Sequence, residues 1–146
     1  MKYSALLILL IFLYTSLPAS AQLINFKEAQ TLAQDQNKNI LMVFSGSDWC
    51  KPCMQFKNDI LESEKFAEYQ INNLVHLELD FPYRKKNQLN VEQTKHNEEL
   101  AEKYNSKGEF PTILITSSEG EVITKLQYAK GMKAEDFITQ IRSAIE

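Results

Sequence analysis

The sequence predicts an α/β fold: a central mixed sheet flanked by helices and closed by a C-terminal β-hairpin and helix. Three observations predict it. Apolar runs of strand length alternate with helix-period segments along residues 22–146, the order expected of a sheet with helices packed on it. The run NILMVFS, Asn39–Ser45, holds an uninterrupted apolar stretch, as a central strand covered on both faces should. PTILIT, Pro111–Thr116, and EVITKLQ, Glu121–Gln127, flank the turn Ser117-Ser118-Glu119-Gly120, which reads as a hairpin.

The elements follow in order. Phe26, Ala29, Leu32 and Ala33 recur at helical spacing and predict a helix over about Lys27–Gln36. The central strand follows, ended by Gly46 and its small polar neighbours. From Cys50, the residues Met54, Phe56, Ile60, Leu61 and Phe66 predict a helix with a bend or break near Glu62-Ser63. VHLELDF, Val75–Phe81, alternates and predicts a second strand. The segment PYRKKNQLNVEQTKHN reads as polar connection, and Leu100–Gly108 as a helix stopped by Gly108. After the hairpin, Phe137, Ile138, Ile141 and Ile145 give the last segment an apolar stripe. The strand–helix alternation favours a parallel core with an antiparallel hairpin edge. Phe26, Phe44, Phe66 and Phe137 are expected in the core.

Residues 1–22, MKYSALLILLIFLYTSLPASAQ, place Lys2 beside the amino terminus, an apolar core at Ala5–Leu13, and Ala19-Ser20-Ala21 before Gln22. This is the pattern of a secretory signal peptide, residues 1–21, cleaved after Ala21. Its apolar run is short for the roughly 20 residues that span a bilayer, so an uncleaved N-terminal anchor is the lesser alternative. The expected location is periplasmic or secreted, with no stable membrane association after cleavage. Residues 22–146, 125 of the 146, make one ordinary domain with a real core. The formal charge is −3, and −4 once Lys2 is removed. A mildly acidic protein has no electrostatic reason to bind nucleic acid or an anionic membrane.

Both cysteines of the chain, Cys50 and Cys53, lie in SGSDWCKPCMQF. Outside the cytosol a disulfide persists, yet a bond closing so small a loop is a poor staple. The pair therefore reads as chemistry. It follows a strand and opens a helix, where unpaired N–H groups favour a Cys50 thiolate. Pro52 suits the first helical turn, and Lys51 adds a nearby cation. The expected reaction is thiol–disulfide exchange, with Cys50 as the exposed nucleophile and Cys53 resolving the mixed disulfide. No bound cofactor is required, because the electrons reside in the pair.

With Trp49-Cys50-Lys51-Pro52-Cys53, the apolar strand before it and Phe110-Pro111-Thr112 before the hairpin, the chain resembles the thioredoxin superfamily, nearer its exported branch. The resemblance covers the whole of residues 22–146. It implies a thioredoxin-like fold and a substrate-facing surround of Trp49, Lys51, Pro52, Phe110 and Pro111. It also implies that Pro111 takes the place of the family's cis-proline beside the cysteines. Two departures stand out. The family carries a buried acidic residue in the strand before the motif, where Val43 or Phe44 stands here, so the expectation is either slower reductive turnover or proton movement through water or another carboxylate. Lys51 replaces the glycine of many relatives. Asp48 is expected to be exposed beside Trp49.

The resemblance implies an exported protein-disulfide oxidoreductase, with reduction the leading direction and oxidation or isomerisation left open, whose partners are protein thiols and disulfides and a redox partner such as a membrane electron donor. A monomer is expected. The rival from another class is a redox-inactive binding or chaperone-like module using the groove near Pro111. Zinc would need two further ligands, and His76 and His96, the two histidines, lack H-x₃₋₅-H spacing, so no metal site is assigned. Neither histidine is given a role; His96 is read as solvated. Arg84-Lys85-Lys86 reads as a solvated loop, with contact to an acidic partner as the minor alternative.

Overall fold

The computed structural model describes residues 25–145; the expected signal peptide lies outside them. Helix α1, Phe26–Gln36, begins where the Asn25 side chain accepts the N–H groups of Lys27 and Glu28, and ends at Asn37 in the left-handed region, φ 52°. Asparagine tolerates that conformation better than most residues. Strand β1, Asn39–Ser45, is buried along nearly its whole length. Helix α2, Lys51–Phe56, runs into a π-helical turn over Lys57–Leu61. Helix α3, Glu64–Asn73, restarts from the Ser63 cap, whose Oγ accepts the Phe66 N–H. The break expected near Glu62-Ser63 is there.

Strand β2, Leu74–Asp80, leads through a 3₁₀ turn at Lys85–Asn87 to helix α4, Val91–Tyr104. Strands β3, Thr112–Thr116, and β4, Val122–Leu126, form the hairpin, and helix α5, Ala134–Ile145, ends the domain. The sheet order is β2-β1-β3-β4. Strands β1 and β2 are parallel, and the hairpin joins them through β3 antiparallel to β1, the mixed sheet with an antiparallel hairpin edge that the sequence predicts. The reversal follows from where the chain re-enters. Thr112 pairs with Phe44, near the end of β1, so β3 starts where β1 and β2 finish. That entry brings Phe110-Pro111 to the same end of the sheet as Gly46–Cys50.

Two apolar layers flank the sheet. Leu41, Val43, Ile113 and Ile115 meet Phe56, Ile60, Phe66, Phe137 and Ile141 on one face. Ile40, Met42, Phe44, Leu77 and Leu79 meet Ala29, Ala33 and Leu100 on the other. The alternation of β1 side chains between the two explains its continuous hydrophobicity. The Phe137 ring lies edge-on to Phe56 at 5.3 Å and Phe66 at 5.6 Å. Burial of each such ring contributes about 1.5–3 kcal/mol. Of the four phenylalanines expected in the core, Phe26 is only partly buried and rims the second layer.

Helix α4 starts nine residues before the expected Leu100, capped by Asn90, whose side chain accepts the Gln93 N–H. Its hidden face at the start is polar. Asn97, 2% exposed, donates to the Asp80 carbonyl at 2.9 Å and accepts from Gln93 Nε2 at 2.8 Å. His96 is partly buried rather than free in solvent: its Nε2 accepts the Phe26 N–H at 3.0 Å, so its proton sits on Nδ1, 3.0 Å from Asn97 Oδ1. The helix ends at Asn105 rather than Gly108, which takes φ 64° in the following turn.

His76 on β2 has an Nε2 sealed from solvent without a hydrogen-bond partner. Burial, with the Lys57 charge adding to it, lowers its pKa to about 4. The unfolded chain takes up that proton near 6.5, so between those values the unfolded state binds more protons and stability rises with pH. Relative to His76→Leu, the wild type should lose roughly 3 kcal/mol from pH 7 to pH 4. Urea titrations across that range check it, and parallel pH profiles for the two proteins would refute it.

Candidate functional site

Strand β1 ends at Ser45, and a tight turn carries the chain into α2. The Cys50 N–H donates to the Gly46 carbonyl at 2.9 Å. Cys50 caps α2 and Pro52 stands in its first turn, where its missing N–H leaves no helical bond unmade. Cys50 and Cys53 are joined in a disulfide with Cα atoms 5.2 Å apart. The Cys53 N–H donates to Cys50 Sγ at 3.2 Å.

Cys50 is 4% exposed and Cys53 3%, so exposure does not single out Cys50 as expected. In the closed bond each sulfur shields the other. What separates the two is the N–H aimed at Cys50 Sγ. Lys51 and Pro52 are exposed at the rim. A sulfur pair three residues apart at a helix start, with an N–H facing one of them, is a site for thiol–disulfide exchange.

Trp49 is 47% exposed. Its Nε1–H donates to the Phe81 carbonyl at 2.7 Å, and its ring lies edge-on to Phe110 at 5.2 Å. The indole lies over Gly46, where an added Cβ would come within 2.3 Å of Trp49 Cε2; only glycine leaves room. Phe110 also packs edge-on to Phe81 at 5.5 Å. The Phe110–Pro111 peptide bond is cis. Its loop is clamped by buried Asn105, which exchanges hydrogen bonds with the Glu109 backbone at 2.9 and 3.1 Å and accepts from Thr112 Oγ1 at 3.1 Å. All seven residues singled out from the sequence thus meet at one end of the sheet or at its rim.

Sequence reasoning missed two acids. Asp48 does not simply stand in solvent. One carboxylate oxygen accepts the Tyr83 N–H at 2.8 Å, the other the Arg84 N–H at 3.0 Å and Asn87 Nδ2 at 2.8 Å. The Tyr83 N–H, with Asn87 and Arg84, holds its pKa below the usual carboxylate value. Ser47 is tied likewise to Asp80, through its N–H at 2.8 Å and its hydroxyl at 2.6 Å. Glu78 is the second. It is the β2 partner of Val43, and burial raises its pKa against the opposing Lys57 charge. Val43 and Phe44 are core residues, as expected, so the partly buried carboxyl stands one strand over. The signal was the alternation in VHLELD, which puts His76, Glu78 and Asp80 on one face. Among the described residues no group of three or more His, Cys, Asp or Glu is placed to hold a metal ion.

The family model of the thioredoxin-like domain matches residues 26–145. The disulfide bond reductase DsbH of Chlamydia pneumoniae is 30% identical over 128 residues, which cover 88% of this chain and 75% of that protein. The thioredoxin-related protein DsbJ of the same organism is 27% identical over 103 residues, covering 70% of this chain but 29% of that protein. Among solved structures, a DsbH oxidoreductase aligns with a TM-score of 0.76 at 29% identity, over 91% of this chain and 92% of that one. With the disulfide at the start of α2, Phe110-Pro111 before β3 and a match along nearly every described residue, this chain belongs to the thioredoxin-like domain family.

Proposed function

We propose that this chain is an exported reductase of protein disulfides, with Cys50 as the attacking thiol and Cys53 as the resolving one. The observation that carries the roles is the Cys53 N–H held 3.2 Å from Cys50 Sγ. In the reduced protein that N–H makes a charge-assisted bond to a Cys50 thiolate, and the helix start favours the same charge. Both lower the Cys50 pKa.

The electrons balance in two steps. The Cys50 thiolate attacks one sulfur of a substrate disulfide; a mixed disulfide forms, the substrate bond breaks, and one substrate cysteine leaves as thiolate. The Cys53 thiolate then attacks Cys50 Sγ; the Cys50–Cys53 bond forms and the second substrate thiolate leaves. Two electrons have passed to the substrate, and a dithiol partner must return them. The reductive direction is supported by the likeness to the disulfide bond reductase DsbH. Export rests on residues 1–21, read as a leader cleaved after Ala21. Trp49 and Phe110-Pro111 face the substrate, and the pair needs no bound cofactor to hold its electrons.

Cys50→Ser should abolish dithiol-dependent reduction of insulin disulfides, and Cys53→Ser should accumulate mixed disulfides through Cys50, read as added mass. Full activity in Cys50→Ser would overturn the assignment and favour a binding module. Gly46→Ala, which must displace the Trp49 indole, should shift tryptophan emission. It should also raise KM for a protein substrate about fivefold, the loss of one aromatic contact of roughly 1 kcal/mol. An altered emission with an unchanged KM would remove Trp49 from the substrate surface.

A further inference from the structure

Resting on that reading, we propose that the loop Tyr83–Asn87 is a recognition element that docks an acidic, extended segment of the substrate protein beside the Cys50–Cys53 disulfide. The loop is bound to the residues just before Cys50. Asp48, two positions ahead of Cys50, holds the Tyr83 and Arg84 N–H groups and the Asn87 side chain. Trp49 holds the Phe81 carbonyl, and Ser47 holds Asp80. The Asn87 N–H donates to the Arg84 carbonyl at 2.9 Å, closing the turn on itself. A short surface segment is thereby fixed in place relative to the redox pair.

What the loop presents is positive charge. Arg84, Lys85 and Lys86 are all exposed, as is Lys51 inside the motif. The ion pairs among the described residues join Lys57 to Glu62, Lys65 to Glu135, Lys95 to Glu99 and Lys125 to Glu109, and none uses these four cations. Asp48, which senses the Arg84 charge, has both oxygens engaged by N–H groups. The patch stands on a chain whose formal charge is −3, so its sign is opposite to that of the whole. Tyr83, 81% exposed, adds an aromatic ring, with Trp49 and Met54, at 47% and 40%, as further exposed apolar groups. Cations beside apolar rings fit a chain with Asp or Glu near an apolar residue and its cysteine. Such complementarity acts chiefly on encounter and selectivity. A protein is favoured over an anionic lipid surface because what reacts at the adjoining Cys50–Cys53 pair is a peptide-borne disulfide.

The test uses the folded protein and three synthetic peptides carrying the same internal disulfide, flanked by Glu, Gln or Lys. At low ionic strength the Glu peptide should be reduced about tenfold faster, in kcat/KM, than the Gln peptide, and the Lys peptide more slowly. In Arg84→Gln/Lys85→Gln/Lys86→Gln the Glu-to-Gln ratio should fall to about one, as it should for the wild type near 0.5 M salt, where screening acts within a few ångströms. Reduction of all three peptides at equal rates would overturn this inference and leave the reductase reading intact. Reduction of none would overturn both. Binding to vesicles of anionic phospholipid, abolished in the triple variant and without any peptide preference, would assign the patch to a membrane instead.

Discussion

The constraint on which the rest depends is the burial of β1 on both faces and along both edges. Every backbone N–H and C=O of such a strand needs a partner, since an orphaned one costs about 1–3 kcal/mol. Here β2 supplies them from one side along Asn39–Ser45 and β3 from the other along Ile40–Phe44. Its side chains lock into two separate apolar layers. A slip by one residue would exchange the layers. The end of β1 is therefore a fixed point, and whatever the chain places just beyond Ser45 inherits that fixity. The cysteine pair stands there.

A second fixed point is needed, because a turn leaving a strand is free to move at its far end. The chain supplies it with side chains rather than with more strand. Ser47, Asp48 and Trp49 each bind a different piece of the segment from Asp80 to Asn87, and Gly46 leaves the indole the space to lie down. On the other flank, Asn105 clamps the loop that delivers Phe110 against Trp49. The rings of Phe44, Phe81, Phe110 and Trp49 then form a continuous line from the core to the surface. The redox pair is thus held by the sheet beneath it and by two loops at its sides, none of which contributes a sulfur.

Much of this was legible in the sequence, and the limits are physical. β1, the hairpin and α5 announce themselves because their partners are apolar and burial alone decides which residues they use. The first half of α4 does not, since Gln93, His96 and Asn97 spend their side chains on hydrogen bonds to each other, to Phe26 and to Asp80. A hydropathy pattern registers such a face as surface. The meeting of Cys50, Cys53, Trp49 and Phe110-Pro111 could be expected from the resemblance. The role of Asp48 could not: its partners are backbone N–H groups some 35 residues away, and every residue type but proline offers one. Nor could the near-equal burial of Cys50 and Cys53, which depends on the bond between them.

The placement of Glu78 follows from the same logic of fixed positions. Val43 lies in the layer that Phe56 and Ile60 cover, and Glu78 is its neighbour on β2, so a carboxyl enters that side of the sheet from the adjacent strand. Burial pushes its pKa up, and the Lys57 ammonium, from the π-helical turn that follows α2, pulls it down. A carboxyl deep in β1 would have had apolar neighbours on the layer and paired strands at each edge, with no cation offered by either strand in register with it. On β2 the same group meets a lysine, which limits the cost of its charge. Lys57 also acts on His76, in the same direction as burial, toward the neutral ring. One cation therefore opposes burial at Glu78 and reinforces it at His76. The acid stands beside the central strand without taking an apolar position in it.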